Sequence, residues 1–195
     1  MEKLLSELTD ENLIKEFQDN NTLEAFELLV KRYKDPLMNF VYRFVGDKDV
    51  CSDIVQETMI KFYLNKDSYR SFAKFSTWIY TIAANLAKNE LKRRKRKVMF
   101  SLSPHEDDEK AIQVEDKSFF APDVQTDSNM KNVMIQKALQ KVKPVYREVV
   151  ILRDIQGLSY EEISEITGLS IGTVKSRINR GRTRLQELLK NIYKE

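Results

Sequence analysis

The sequence predicts an all-α protein made of two small helical domains joined by an acidic, flexible linker. Only five glycines and four prolines occur among its 195 residues, which disfavours an all-β chain. Apolar residues recur at the spacing of amphipathic helices before residue 98 and again after residue 130. The stretch between these blocks has no steady period, contains two prolines and is strongly acidic, as expected of an irregular linker.

The first block predicts four helices with short connections, which together form one compact lobe. Thr9, Thr22 and Asp47 each precede a helical pattern and are suited to cap the first three helices. Pro36 lies inside the second helix and is expected to kink or split it. The predicted helices cover approximately residues 10–20, 23–45, 48–64 and 75–97.

The fourth helix, FSTWIYTIAANLAKNELKRRKRK, has an unusual polar face and is expected to be capped by Ser76. At about 100° per residue, Trp78, Asn85 and Asn89 fall within about 20° of one line along the helix. The ordinary apolar face lies roughly 90° away. The full polar stripe consists of Trp78, Asn85, Asn89, Lys92 and Arg96. The helix ends in six consecutive cations at 92–97, more than are needed to interact favourably with the negative end of the helix dipole.

The second block predicts two helices followed by a helix-turn-helix. Pro144 fits the first turn of the second of these helices. Ser159 and Glu162 have the spacing of a capping box. Gly168 suits a left-handed helix end, and Ser170 suits the cap of the next helix. A helix, a turn containing glycine and a second helix within about 20 residues form the helix-turn-helix pattern.

The second helix of this motif has one apolar side and one side rich in hydrogen-bonding groups. The side chains expected to face inward are Ile171, Val174, Ile178 and Leu185. The opposite side carries Lys175, Ser176, Asn179, Arg180 and Thr183. Arginine and lysine can bind the edge of guanine, and asparagine the edge of adenine. Flanking cations would bind phosphates; they are Arg177, Arg182 and Arg184. This chemistry favours DNA binding over a hairpin that only packs or binds protein.

Charge is unevenly distributed along the chain. Residues 98–130 have a net charge of −6, whereas residues 131–195 have +6 and residues 88–97 alone have +6. Two basic lobes joined by an acidic segment favour a polyanionic partner. A single charged run would instead suggest only a solvated surface.

Several kinds of site and location are excluded by composition. The single cysteine, Cys51, excludes an intramolecular disulfide, and one histidine, His105, cannot complete a zinc site with it. We expect no cofactor and no catalytic centre. The first 30 residues lack an unbroken apolar stretch, and no segment approaches the roughly 20 apolar residues of a membrane span. We therefore expect a cytoplasmic protein that does not insert into membranes.

Three stretches, in this order and at this spacing, indicate a family. They are DVCSDIVQETMIKFY at 49–63, FSTWIYTIAANLAKNELKRRKRK at 75–97, and YREVVILRDIQGLSYEEISEITGLSIGTVKSRINRGRTRL at 146–185. Over nearly its whole length the chain resembles the bacterial extracytoplasmic-function sigma factors, the smallest class of promoter-recognition subunits of RNA polymerase. The resemblance implies a four-helix sigma region 2 over residues 1–98, a linker over 99–129 and a helix-turn-helix sigma region 4 over 130–195.

The resemblance also implies which residues contact promoter DNA. The fourth helix would read the minus-ten element through Trp78, Asn85, Asn89, Lys92, Arg93 and Arg96. Unstacked bases are bound by stacking and by edge hydrogen bonds, which this stripe offers, although Trp78 could equally be a core anchor. The preceding loop at 67–75 corresponds to the family's base-capturing loop. The helix-turn-helix would contact the minus-thirty-five element through Lys175, Ser176, Arg177, Asn179 and Arg180.

Partner proteins follow from the same resemblance. Asp53, Gln56 and Glu57 match the segment that docks on a coiled coil of the largest subunit of core RNA polymerase, and without the resemblance they would be a solvated acidic face. The linker would thread through the polymerase towards the active-site and RNA-exit channel. An anti-sigma factor is an expected further partner. The implied function is promoter recognition, promoter melting and transcription initiation, without catalysis by the chain itself.

Three other classes of protein share part of this pattern. A response regulator has a similar helix-turn-helix but needs an N-terminal α/β receiver, and residues 1–97 show no strand pattern. A recombinase would need a catalytic constellation in the first lobe, which we do not find. An adaptor without a DNA role would not need the cations and amides of the two polar faces.

Overall fold

In the computed structural model the protein is all-α, as predicted, and the structure describes residues 5–101 and 127–192. The helices are α1 (Asp10–Asn20), α2 (Leu23–Val45), α3 (Lys48–Leu64), α4 (Phe75–Ser101), α5 (Asp127–Lys141), α6 (Pro144–Val150), α7 (Tyr160–Thr167) and α8 (Ile171–Ile192). A 3-10 turn, Lys66–Ser68, follows α3, and a π-helical turn, Ile151–Ile155, continues α6. These two described segments contain no strand. We call α1–α4 the amino-terminal lobe and α5–α8 the carboxyl-terminal lobe.

The side-chain caps predicted from the sequence are present at α1 and α3 but not at α2. The side chains of Thr9 and Asp47 each accept a hydrogen bond from the backbone N–H three residues later, at 3.3 and 3.1 Å. Thr22 precedes α2 but makes no side-chain cap. Its hydroxyl lies 3.0 Å from Glu16 Oε1 and donates to that carboxylate instead.

The prediction that Ser76 caps α4 is wrong. The helix begins one residue earlier, at Phe75. The backbone N–H of Phe75 donates to the carboxylate of Glu11 in α1 at 3.2 Å. A side chain from a distant helix therefore satisfies the first N–H of α4, and no local sequence signal could show it.

The long helix α2 is continuous through Pro36, so of the two effects expected of this proline, a kink or a split, the split is wrong. Pro36 removes one backbone donor inside the helix. The residues on both sides of it, including Leu29, Leu37 and Phe40, are nevertheless buried in one core. Packing of this apolar face holds the helix together across the missing hydrogen bond. The helix ends as predicted at Gly46, whose φ is 81°.

The helix-turn-helix forms as predicted, with one exception. Ser159 accepts from the N–H of Glu162 at 3.1 Å, and its own N–H donates to the Glu162 carboxylate at 2.7 Å, which completes the capping box. Val174 and Ile178 are buried. Ile171, predicted to face inward, is 39% exposed because it is the first residue of α8 and lies before the buried part of this face, which begins at Val174.

The two lobes pack against each other rather than standing apart. Helix α7 lies along α4, and α5 packs beside α2. The buried apolar residues of both lobes form one continuous cluster. Three polar contacts join α4 and its preceding loop to the carboxyl-terminal lobe; they are Lys74–Glu162 at 2.9 Å, Tyr80–Gln156 at 2.7 Å and Lys88–Glu148 at 3.4 Å.

Helices reach into both ends of the predicted linker over 99–129. Helix α4 continues to Ser101, and α5 begins at Asp127. The remainder of the predicted linker, with His105 and the expected path through the polymerase, lies outside the described residues. Among the helices that are described, none is both long enough and apolar enough to cross a lipid bilayer.

Candidate nucleic-acid interface

Trp78 is both a packing residue and a member of the polar stripe on α4. Its ring is perpendicular to that of Phe62, with 5.9 Å between centroids, and lies 5.5 Å from the ring of Tyr69 and 5.9 Å from that of Phe75. Trp78 is only half-buried. Aromatic contacts of this kind fix the orientation of the indole, so the exposed part of the ring is held at one place on the surface.

The rest of the predicted stripe faces solvent. Asn85, Asn89, Lys92 and Arg96 are all exposed, while Ile79 and Ala83 on the neighbouring face are fully buried. Core packing therefore fixes the rotation of α4 and leaves two amides and two cations in line with Trp78. Amides and cations presented together can form edge hydrogen bonds to bases and ion pairs with phosphates.

Arg93, also predicted to contact the minus-ten element, is already engaged within α4. Its Nε lies 2.6 Å from Glu90, and Arg94 reaches the same carboxylate at 2.8 Å. Arg94 also binds Asp47 at 2.9 Å. The hydrogen bond from Arg93 lowers the pKa of Glu90, against the opposing effect of burial and with the help of Arg94. Two of the six consecutive cations thus stabilise the helix itself.

The loop before α4 presents one aromatic side chain that sequence reasoning did not single out. Phe72 is 91% exposed, although contacts within the loop fix the residues on both sides of it. Tyr69 is buried, and its hydroxyl donates to the carbonyl of Ala73 at 2.6 Å. Tyr69 three residues before it and Phe75 three residues after it are also aromatic but are buried, so the sequence alone does not distinguish the exposed ring of Phe72 from its neighbours.

The reading face of α8 is exposed as predicted. Lys175, Ser176, Asn179 and Arg180 all face solvent. The Ser176 hydroxyl donates to the carbonyl of Thr173 at 3.0 Å, which leaves its oxygen as an acceptor. Lys175 Nζ lies 5.4 Å from the centroid of the Tyr160 ring, a cation–π contact that joins the two helices of the motif. The face therefore offers donors and an acceptor without any of its members being buried.

The arginines that flank this face each lie near an acidic residue. Arg182 forms an ion pair with Asp154 in the π-helical turn, and Arg184 pairs with Glu187 at 3.1 Å. Arg177 is half-buried. A phosphate would have to displace a carboxylate to bind Arg182 or Arg184, so the exposed cations Lys175 and Arg180 are the more available contacts.

Glu148 lies between the two candidate reading helices. It is 6% exposed, and one of its oxygens is 3.4 Å from Lys88 Nζ on α4. Burial raises the pKa of Glu148 above its ordinary value, although the positive charges of Lys88 and of Arg177 on α8 act in the opposite direction. One carboxylate therefore faces a cation from each reading helix.

The predicted polymerase-binding residues form an exposed patch on α3. Asp53, Gln56 and Glu57 face solvent. Glu57 also lies 3.5 Å from Lys61 one turn later. Two apolar residues continue the same exposed side of the helix, Ile60 at 51% and Leu64 at 71% exposure. The patch thus combines an acidic end with an apolar end, which suits a partner helix of complementary character.

Comparison with known proteins decides the family. The family model described as Sigma-70 region 2 matches residues 29–97, and that described as Sigma-70, region 4 matches residues 132–185. The ECF RNA polymerase sigma-E factor of Salmonella typhimurium is 37% identical over 186 residues, which cover 90% of this chain and 92% of the relative. The chain belongs to the extracytoplasmic-function sigma factors.

Two further relatives agree with this assignment. This sigma factor is 35% identical over 173 residues to the ECF RNA polymerase sigma factor SigW of Bacillus subtilis, covering 87% of this chain and 91% of the relative. Its fold is similar to that of the sigma factor RpoE from Bartonella quintana, solved in complex with the anti-sigma factor NepR. That match has a TM-score of 0.66 and 30% identity, and covers 85% of this chain and 96% of the other. The function of this sigma factor is promoter recognition for RNA polymerase in transcription initiation.

Proposed function

We propose that this sigma factor recognises its promoter through two separate faces, one on α4 and one on α8. The observation that best supports this is that both helices expose amide side chains next to cations. On α4 these are Asn85, Asn89 and Lys92, and on α8 they are Asn179, Lys175 and Arg180. The face on α4 binds the minus-ten element and the face on α8 binds the minus-thirty-five element. The corresponding division of the chain is region 2 over residues 1–98, a linker over 99–129 and region 4 over 130–195.

On the minus-ten side, Trp78 and Phe72 supply the aromatic surfaces. Trp78 is fixed by its neighbours and stacks on one base with its open part, while the exposed ring of Phe72 stacks on a base that has left the duplex. Stacking of a base on an aromatic side chain contributes about 1–3 kcal/mol. The Phe72→Ala variant should form fewer open complexes, measured by 2-aminopurine fluorescence in the minus-ten element, and Phe72→Tyr should behave like the wild type.

Core RNA polymerase binds α3 through Asp53, Gln56 and Glu57. The two carboxylates lie one helical turn apart and are exposed, which suits a basic partner helix. The chain itself performs no catalytic step, and it acts in the cytoplasm, where the polymerase works. By similarity to the Bartonella relative solved with NepR, an anti-sigma factor is a further partner, and adding it before core polymerase should prevent transcription.

Run-off transcription with core polymerase tests the division of roles. The pair Lys175→Ala and Arg180→Ala should abolish promoter selection but leave core binding intact. The pair Asp53→Ala and Glu57→Ala should weaken core binding but leave the DNA faces unchanged. Lys190→Ala on α8 and Asp35→Ala on α2 are matched controls, since each removes an exposed charge outside these faces. Unchanged transcription in both test pairs would contradict the assignment.

A further inference from the structure

Helix α1 and the loop before α4 are joined by reciprocal hydrogen bonds. We call residues 66–74, which lie between α3 and α4, the connecting loop. The side-chain amide of Gln18 donates to the carbonyl of Lys66 at 2.6 Å and to that of Tyr69 at 3.3 Å. In return, Lys66 Nζ donates to the carbonyl of Phe17 at 2.7 Å, near the carboxyl end of α1, where a cation is favoured by the helix dipole. The start of the loop is thus fixed to α1 from both sides.

The far end of the connecting loop is held by the same face of α1. The N–H of Phe75, directly after the loop, donates to the carboxylate of Glu11 at 3.2 Å. Glu11 and Gln18 are seven residues apart, so they lie within about 20° of one line and roughly 10 Å from each other along the helix. One face of α1 therefore carries a hydrogen-bonding group for each end of the loop.

Between these two attachments the connecting loop makes a turn that exposes Phe72. The N–H of Ala73 donates to the carbonyl of Arg70 at 3.2 Å, and the hydroxyl of Tyr69 donates to the carbonyl of Ala73 at 2.6 Å. Tyr69 is buried, and its ring lies 5.5 Å from that of Trp78. The position of the exposed ring therefore depends on Tyr69, which is held by α4 through its ring and by α1 through its carbonyl.

We propose that Gln18 and Glu11 are positioning residues for promoter opening, because they hold the connecting loop in the conformation that presents Phe72 to an unstacked base. This inference rests on the proposed stacking role of Phe72. A loop that is ordered beforehand avoids the entropic cost of ordering the loop and its ring when the base arrives. Helix α1 thus contributes to opening through contacts made inside the protein, and it does not need to touch DNA.

The substitution Gln18→Met tests this role. It keeps the length and the helix propensity of the side chain but removes the amide. The core packing of α1 does not depend on this amide, because it is made by Leu13, Ile14 and Phe17, all of which are buried. Lys15→Met is the matched control, since it places the same side chain at an exposed position of the same helix. Circular dichroism verifies that both variants are folded.

Hydrogen exchange of the full chain measures how firmly the connecting loop is held. The N–H groups of Tyr69 and Ala73 are hydrogen-bonded within the loop, so their exchange reports its opening. Gln18→Met should speed their exchange by about tenfold, as expected from the loss of two hydrogen bonds, and Lys15→Met should not change it. Exchange at the wild-type rate in folded Gln18→Met would overturn the positioning role.

A pair of variants tests the hydrogen bond from Phe75 to Glu11. Glu11→Ala removes the acceptor of the Phe75 N–H and should speed exchange in the connecting loop. Glu11→Gln keeps a side-chain oxygen at the same distance along the side chain and should restore the wild-type rate. Equal acceleration in both variants would show that the charge of Glu11 matters and its hydrogen bond does not, which would contradict its positioning role.

Holoenzyme on a promoter with 2-aminopurine in the minus-ten element connects the loop to opening. Gln18→Met should lower the equilibrium constant for open-complex formation by about threefold to tenfold, the factor by which ordering one side chain weakens binding. The double variant with Phe72→Ala should open the promoter as well as Phe72→Ala alone, because the loop then has no ring to present. Additive losses would overturn the proposal. No loss in Phe72→Ala itself would contradict the proposed stacking of Phe72, and the exchange rates would still decide whether α1 holds the loop.

Discussion

Gly181 of α8 packs directly against Val150 of α6. A Cβ atom on Gly181 would lie 2.5 Å from Cγ2 of Val150 and 3.2 Å from the backbone oxygen of Tyr146. The glycine is therefore required by the close approach of two helices and not by an unusual backbone angle. This contact sets the distance between α8, with its reading face, and the helix that supports it.

Replacement of Gly181 by alanine should destabilise the protein even though alanine favours helix formation. Overpacking of a close contact of this kind costs about 1–3 kcal/mol, more than the gain of up to about 1 kcal/mol in helix propensity. Gly172→Ala is the matched control on the same helix, because nothing lies within 4 Å of a Cβ atom there, and it should be neutral or stabilising. Urea denaturation measures both. Equal effects at the two positions would contradict the close contact.

Loss of the capping box should weaken the helix-turn-helix. Ser159→Ala removes the acceptor for the N–H of Glu162 and should lower the free energy of unfolding by about 1 kcal/mol. Burial acts to raise the pKa of Glu162, but hydrogen bonds from Ser159 and the charge of Lys74 outweigh it and lower that pKa. Because the pKa is depressed in the folded state, the stabilisation by the ionised Glu162 carboxylate is present at neutral pH and is lost as pH falls through the folded-state value. The bond from the Glu162 N–H to the Ser159 hydroxyl does not depend on that ionisation, so in thermal melts both proteins should be less stable at pH 3 than at pH 7 and most of the difference between them should persist.

The buried carboxyl of Glu148 should make stability depend on pH in the opposite sense. Its pKa is raised by burial despite Lys88 and Arg177. A raised folded-state pKa gives a contribution that is present below the unfolded value, 4.5, and is lost as pH rises through the folded-state value. Glu148→Gln should therefore raise the free energy of unfolding at pH 7. It should also reduce the decrease of this free energy as pH rises above 4.5, as measured by urea denaturation at a series of pH values. A pH profile identical to that of the wild type would show that Glu148 is not the group responsible.

The stripe on α4 should separate into a structural part and a reading part. Trp78→Ala should destabilise the amino-terminal lobe by about 3 kcal/mol, because it removes a ring that packs on Phe62, Tyr69 and Phe75. Asn85→Ala should change stability by less than about 0.5 kcal/mol and still reduce open-complex formation. Thermal melts combined with 2-aminopurine fluorescence distinguish the two effects. A large loss of stability in Asn85→Ala would mean that Asn85 is a packing residue as well.

Features fixed by neighbours in the chain could be predicted from the sequence. The capping box at Ser159, the left-handed end at Gly168 and the exposed face containing Asn179 all depend on residues within one or two helical turns. Helical periodicity is enough to assign their positions because it needs no information about other helices. The same reasoning placed Asn85 and Asn89 on the surface beside Trp78.

Features fixed by distant residues could not be predicted. Glu11 provides the acceptor at the start of α4, so Ser76 was not needed as a cap. Gln140 and Glu148 resemble ordinary surface residues of amphipathic helices, yet contact between the lobes removes most of Glu148 from solvent and makes Gln140 a partner of α2. Docking between lobes depends on the shape of two assembled surfaces, and a single sequence contains no periodic signal for it.

The continuous apolar cluster shared by the two lobes has a consequence for how the molecule melts. While the lobes are docked, neither can lose its interior without exposing part of the other, so calorimetry should record one cooperative transition for the whole chain. Once docking is broken, two transitions of separate enthalpy should appear. The heat-capacity trace of this protein is thus a direct record of whether its halves behave as one folding unit or as two.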